Sequence, residues 1–269
     1  MKIVRFVSDQ DRVLYGRYNE DQPAAADIIE GDIFADFEVT SEKANIKRFL
    51  PPVVPSNILA LGLNYRHHAA ETGLNIPKYP ILFMKATSSV IGHQEPILLP
   101  AAAPDSVDYE AELAVVLNRT VKNLQPEEAM DCILGYTCAN DVSARDWQLR
   151  RQGGQWVRAK SFDTFCPLGP WLVTKDEIPD PNRLHICAIL NENDVLQDAG
   201  TSEMIFSIPT IISFLSQSMT LLPGTVILTG TPEGVGFTRK PPLFLKAGDR
   251  ISVEIERIGR LSNPVFREF

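Results

Sequence analysis

Apolar and polar residues alternate over KIVRFV and RVLYGRY, and a short polar turn separates the two runs. Alternation with period two sends successive side chains to opposite faces, so the pattern predicts a β-hairpin. Further short strands are expected around Ile28 and Phe37. Pro51, Pro52 and Pro55 follow, a joint that cannot continue a helix. Residues 1–52 are therefore expected to form a small β-rich N-terminal domain, and residues 53–269 a larger one. Beyond the joint, NILALGLN, YPILFMK, YEAELAVVL, LGYTCAND, GTVILTG and DRISVEIERIG read as strands. RLHICAILNENDVLQDA reads as a hairpin around a polar turn. Helical stretches are YRHHAAE closed by Gly73, PEEAMDCI with Pro126 in its first turn, SARDWQLRR with Ser143 as N-cap, and IPTIISFLSQ. The many short strands and 20 prolines leave no regular strand–helix alternation. The predicted class is α+β and β-dominated, not a doubly wound sheet.

Composition narrows the function classes. Apolar residues make up 44% of the 269 and charged residues 22%, ordinary values for a globular chain. With 26 basic and 34 acidic residues the net charge is −8, and no Lys/Arg block occurs. Nucleic acid and anionic membrane are poor partners for such a chain. No apolar run approaches ~18 residues, so no membrane-spanning helix is expected. Asp9 and Asp11 fall where a signal peptide would need an apolar core. Cys132, Cys138, Cys166 and Cys187 show no C-x-x-C spacing and read as buried free thiols of a cytoplasmic protein.

The chemistry-bearing residues fall in a few stretches. In DYEAELAVVL a strand places Glu110 and Glu112 on one face, with Asp108 a possible third. Carboxylates side by side at the edge of a core repel one another, and a hard divalent cation (Mg²⁺, Mn²⁺ or Ca²⁺ ahead of Zn²⁺) relieves this. The same spacing also fits a solvated acidic edge. Asp141 ends the strand LGYTCAND, as a further ligand or as a helix cap. His67, His68 and Glu71 share one helical turn, and either histidine can reach the glutamate. Such a carboxylate fixes the ring tautomer and makes the second nitrogen a base, though an incidental surface pair reads the same. His93 reads as a solvated turn residue and His185 as a satisfied strand residue. Arg145 and Gln148, one turn apart, can present a guanidinium and an amide to a carboxylate substrate. Lys160, among small and aromatic residues, suits a semi-buried ammonium facing acids or a developing oxyanion. Thr231, in the Gly-rich turn of LTGTPEGVGF, can bind a substrate carboxylate. No P-loop, dinucleotide fingerprint or serine-hydrolase elbow is present.

Taken in order, NYRHHAAE, YPILFMK, DYEAELAVV, CANDVSARDWQ, RAKSFDTFCPLGP and ILTGTPEGVG resemble the fumarylacetoacetate hydrolase superfamily over residues 56–269. The first ~50 residues look like the small N-terminal domain that many bacterial members carry. The resemblance implies a mixed β-sandwich roll, a homodimer, and Mg²⁺ or Mn²⁺ held by Glu110, Glu112 and Asp141. The N-Y-x-x-H-x-x-E pattern selects His68 with Glu71 as the dyad and leaves His67 a bystander. Lys160 matches the lysine near the metal, and Arg145, Gln148 and Thr231 match substrate-side positions. These likenesses imply a 2-oxo acid or 1,3-diketo acid processed through an enolate. C–C hydrolysis of an acylpyruvate-type substrate is placed first. Isomerisation of a 2-hydroxymuconate-type diene or decarboxylation of an oxaloacetate-type acid follows closely. Specificity is expected in a lid around residues 71–80. A non-catalytic, metal-stabilised binding protein is the reading from another class.

Overall fold

The computed structural model describes residues 1–151 and 153–268. Strands β1 (Lys2–Ser8), β2 (Val13–Tyr18), β3 (Ala25–Gly31) and β4 (Phe37–Leu50) form the N-terminal unit. β1 pairs antiparallel with both β2 and β4, so the four strands close on themselves. Beyond the proline joint come β5 (Asn57–Gly62), helix α1 (Arg66–Thr72), β6 (Ile81–Lys85), β7 (Val90–Ile91), β8 (Ile97–Leu99), β9 (Val107–Asp108) and β10 (Ala111–Leu117). They are followed by β11 (Ile133–Asn140), β12 (Ser143–Ala144), helix α2 (Trp156–Lys160), β13 (Cys166–Thr174), β14 (His185–Leu190) and β15 (Asp194–Gly200). Helix α3 (Ile208–Ser218), β16 (Thr225–Leu228), β17 (Arg250–Ile255) and β18 (Gly259–Arg267) complete the chain.

One 11-stranded mixed sheet runs in the order β2-β3-β4-β1-β13-β11-β10-β16-β5-β6, with β7 beside β13. A 5-stranded sheet, β15-β14-β17-β18-β8, packs on it. The β-dominated α+β architecture is the one the sequence predicts. β10 lies inside the larger sheet and is buried along its whole length. Its odd positions, Ala111, Leu113, Val115 and Leu117, join the large apolar cluster that the two sheets share. Ala114 and Val116 join a second cluster with Ile58, Ala60, Val226 and Leu228. Glu112 occupies the next even position on that second face, so the carboxylate sits where strand geometry otherwise places core.

The local differences from the sequence pattern have physical reasons. Ser143 does not cap a helix: it lies in β12, opposite Asp108 of β9, and the chain beyond forms a π-helical turn at Trp147–Arg151. PEEAMDCI winds as a 3₁₀ helix behind a Gln125–Glu128 capping box. His93 is not solvated: its Nδ1 accepts the Ser262 N–H at 3.1 Å, and its ring meets Phe49 edge-on. His185 lies exposed at the start of β14, paired with Asp198 at 2.5 Å. All four cysteines are buried free thiols. Among the described residues no helix is long and apolar enough to cross a membrane.

Candidate active site

Strand pairing assembles the acids. Ala111 lies opposite Asn140 and Glu112 opposite Ala139 in the β10–β11 ladder. One step past the ladder, the Asp141 N–H donates to the Glu110 carbonyl at 2.9 Å. This register brings ligand oxygens of Glu110, Glu112 and Asp141 within 4.8 Å of one another, all buried. β16 extends the arrangement from the other side. Beyond its end Gly230 (φ +95°) donates its N–H to Glu112 Oε2 at 2.7 Å. A side chain there would meet the Asn64 Cβ at 2.7 Å, so the close approach requires glycine.

Three buried cations answer these acids. Lys160 Nζ donates to Glu110 Oε2 at 2.9 Å, Asp141 Oδ2 at 2.5 Å and Ser143 Oγ at 2.8 Å. Lys85, at the end of β6, pairs with the other Asp141 oxygen and donates to the Val142 carbonyl at 3.3 Å. Arg145 Nη2 lies 2.7 Å from Glu110 Oε1, and its Nε donates to Asp108 Oδ2 at 2.8 Å. Asp108 therefore points away from the triad. It accepts the Gly236 and Phe237 amides at 2.8 and 3.1 Å, while the guanidinium stacks on Phe237.

Asp108, Glu110, Glu112 and Asp141 thus face Lys85, Arg145 and Lys160, one cation short. The shortfall falls on Glu112. Burial, then Asp141 and Glu110, push its carboxyl well above the usual range, and its Oε1 is buried with no hydrogen-bond partner. For Glu110 burial acts upward, but Lys160 and Arg145 outweigh it and hold the acid down to about 2. Burial opposes the charge on Lys160, yet Asp141 and Glu110 keep its pKa raised. An all-oxygen donor set with one orphaned, desolvated carboxylate oxygen fits a hard divalent cation. The site could hold such an ion through Glu110, Glu112 and Asp141.

The dyad lies beside this cluster on α1, which ends in Gly73 at φ 68°. His68 Nδ1 is 3.1 Å from Glu71 Oε2. Burial would raise the Glu71 carboxyl, but hydrogen bonds from His68, Thr238 and the Gly234 amide hold it low. An ionised carboxylate only accepts, so the hydrogen of this contact sits on His68 Nδ1. His67 is 65% exposed, with Nδ1 3.6 Å from Glu233, and takes no part in this contact.

His68, Glu110, Arg145, Gln148, Lys160 and Thr231 line one cavity of about 90 Å³, whose apolar wall includes Leu74, Leu149 and Trp156. Arg145, Gln148 and Thr231 are tightly held. Arg145 Nη1 donates to Gln148 Oε1 at 2.8 Å, so the guanidinium is engaged at Asp108, Glu110 and Gln148. Thr231 Oγ1 donates to the Ala111 carbonyl at 2.9 Å and accepts from Gln197 Nε2 at 2.8 Å. Lys85, Asn64 and Gln197 escaped the sequence reading. Lys85 closes YPILFMK like an ordinary strand-end lysine, and only the fold turns it onto Asp141. Asn64 anchors the turn after β5 to the Thr229 and Phe206 carbonyls at 2.7 and 3.2 Å.

Known proteins resemble this chain in sequence and in fold. A family model described as "Fumarylacetoacetate (FAA) hydrolase C-terminal" matches residues 57–266. The chain is 49% identical over 223 residues to "Oxaloacetate tautomerase fahd2, mitochondrial" of Xenopus laevis, covering 83% of this chain and 69% of that one. The human "Oxaloacetate tautomerase FAHD2A, mitochondrial" is 48% identical over 218 residues, with 81% and 69% covered. Among solved structures, a 5-carboxymethyl-2-hydroxymuconate delta-isomerase from Mycobacterium smegmatis superposes with TM-score 0.87 at 40% identity, covering 100% of both chains. A 2-hydroxyhepta-2,4-diene-1,7-dioate isomerase from Mycobacterium marinum gives 0.86 at 39%, with 100% and 99% covered.

Proposed function

The chain belongs to the fumarylacetoacetate hydrolase family, and from that footing we propose that it is a divalent-metal-dependent enzyme that relocates a proton on a small 2-oxo acid. An oxaloacetate-type diacid, interconverted between keto and enol forms, is the substrate class. The observation that carries this reading is one cavity lined by His68, whose ring a glutamate holds, and by Glu110, the member of the carboxylate triad that reaches it. Relatives named oxaloacetate tautomerase and structural neighbours named as isomerases support proton relocation ahead of bond cleavage. The cavity, about 90 Å³, is small beside the ~300 Å³ and above of drug-sized ligand sites, which favours a short acid.

Glu110, Glu112 and Asp141 would hold Mg²⁺ or Mn²⁺, which when bound supplies Lewis acidity toward a 2-oxo carboxylate. His68 Nε2 removes a proton from the carbon next to the carbonyl, and Glu71 stabilises the imidazolium that forms. His68 then returns the proton to the enolate oxygen, giving the enol with no atom gained or lost. Lys160 is held protonated for that oxygen by Asp141 and Glu110. All three of its hydrogens are engaged in this structure, so one must exchange from a carboxylate to the substrate. Gln148 and Thr231 line the cavity for the remaining carboxylate, and Thr231 can donate to it only by giving up the Ala111 carbonyl. A homodimer, as the family likeness implies, would cover exposed apolar side chains such as Leu74, Ile76, Tyr79, Ile81 and Met84.

C–C hydrolysis of an acylpyruvate is the second reading, because the same Nε2 can take its proton from water. Oxaloacetate, a 2-hydroxyhepta-2,4-dienedioate and an acylpyruvate, each with Mg²⁺ or Mn²⁺ in D₂O, separate the two. Proton relocation predicts faster keto–enol equilibration and deuterium at the carbon beside the carbonyl, with the carbon skeleton intact. Cleavage of acylpyruvate faster than any tautomerisation would replace the first reading with the second. No turnover of any substrate would overturn both.

A further inference from the structure

The Gly-rich turn after β16 contributes more than Thr231. Glu71 is held from two sides. His68 approaches one carboxylate oxygen, and the other, Oε1, accepts the Gly234 N–H at 3.0 Å and the Thr238 hydroxyl at 2.6 Å. Thr238 Oγ1 also lies 2.8 Å from the Val235 carbonyl. A threonine hydroxyl has one hydrogen and here two acceptors. A charged acceptor forms the stronger bond by roughly a factor of two, so the hydrogen goes to Glu71 while that carboxylate is ionised. The Val235 carbonyl is then the competing acceptor, which the hydroxyl meets only when its hydrogen turns away from Glu71. The turn that supplies Gly230 to Glu112 therefore also supplies, eight residues later, the clamp on the dyad.

We propose that Thr238 is a positioning residue of the His68–Glu71 dyad: with the Gly234 amide it fixes Glu71 so that His68 keeps Nδ1 protonated and offers Nε2 to the cavity. Thr238 is neither a triad member nor one of the residues lining the cavity, and its hydroxyl meets Glu71 and the Val235 carbonyl, so its route to the site is through Glu71. The consequence for turnover rests on the proposed proton relocation; the consequence for the histidine tautomer does not. A carboxylate released on one side rotates, and the Nδ1 contact loosens with it. Gly234 contributes through its backbone, which leaves Thr238 as the member that a side-chain change can test.

The experiment is Thr238→Val, nearly equal in volume but without the hydroxyl, beside Thr238→Ser, which restores it. Imidazole nitrogen shifts of ¹⁵N-histidine-labelled protein report the His68 tautomer with no substrate present. A His68→Gln sample assigns the signal. Expected for Thr238→Val are a His68 ring shifted away from the single Nδ1–H form and a kcat lowered about 10- to 100-fold. KM should change less than about 3-fold, Mn²⁺ affinity should stay at the wild-type value, and Thr238→Ser should recover most of kcat. A Thr238→Val protein with the wild-type tautomer overturns the proposal, whatever its turnover. Parallel losses of melting temperature and Mn²⁺ affinity in both variants also overturn it, as a purely structural role. If the wild-type protein turns over no substrate, the functional reading fails, while the tautomer measurement still decides the role of Thr238.

Discussion

Glu112 and Asp141 belong to one triad but stand in opposite electrostatic positions. Asp141 is gripped by Lys85 and Lys160, whereas Glu112 has a backbone amide on one oxygen and nothing on the other. Their substitutions should therefore diverge. Glu112→Gln removes a desolvated acid that has no cation in contact with it, so the metal-stripped protein should melt at or above the wild-type temperature. The rise in melting temperature on adding Mn²⁺ should vanish, since binding stabilises only in proportion to affinity. Asp141→Ala instead leaves the buried Lys85 ammonium without its carboxylate and Lys160 with Glu110 alone. It should cost about 3–5 kcal/mol in the metal-free protein, measured by urea unfolding. Equal destabilisation by both changes would show that the charge imbalance does not rest on Glu112. His68→Ala tests the neighbouring function: turnover should fall to background while Mn²⁺ affinity is retained. Undiminished turnover would move the base elsewhere.

At the scale of elements, the site follows from the register of β10 on β11 and from where each strand stops. The first of these was legible. Period two put Glu110 and Glu112 together, and a strand ending in Asp141 invited a partner, because alternation survives in a linear sequence. Other features were not legible. Lys85 and Gln197 acquire their partners only when β6 and β15 are placed, and no local pattern encodes an ion pair across 56 residues. Ser143 obeyed the N-cap rule in sequence, yet its hydroxyl is better used between Asp141 and Lys160. His93 misled for the same reason: the turn IGHQEP looks exposed until β18 is laid beside β8. Burial, and then Arg250, push its imidazole down to about 4. The unfolded chain binds that proton near the ordinary value of ~6.5 and the folded one does not, so stability should fall as pH drops through that window. Gln in place of His93 keeps an acceptor for Ser262 and cannot titrate. Unfolding free energies at pH 6.5 and pH 4.5 should then diverge between wild type and His93→Gln by about 1 kcal/mol, after discounting for partial exposure. Parallel pH dependences would place a solvated, ordinary histidine at this turn.

For the whole molecule the question is whether the four N-terminal strands are an independent unit. The proline joint marks a break in chain texture, but the sheet does not break with it. β1 pairs with β13 through Lys2–Val173 and Ile3–Leu172. Ile3 and Leu172 are both fully buried in one apolar cluster with Ala114 and Val116, on the face of β10 that carries Glu112. On the opposite face Val4 and Phe6 belong to the large shared core, and Tyr18 stacks on Trp171 at 4.8 Å. β1 thus contributes to both layers of core between which β10, β11 and β13 are held. Separating it would expose the edge of β13 together with apolar surface on each side, a cost that a loosely docked domain does not carry. The expected result is one calorimetric transition, with van't Hoff and calorimetric enthalpies equal. Ile3→Asp buries an unpaired carboxylate at the seam and should lower that single transition as a whole, by several kcal/mol in unfolding free energy. Two transitions, the upper one unmoved by Ile3→Asp and still raised by Mn²⁺, would mean that residues 53–269 fold alone. The carboxylate triad would then owe nothing to the N-terminal strands.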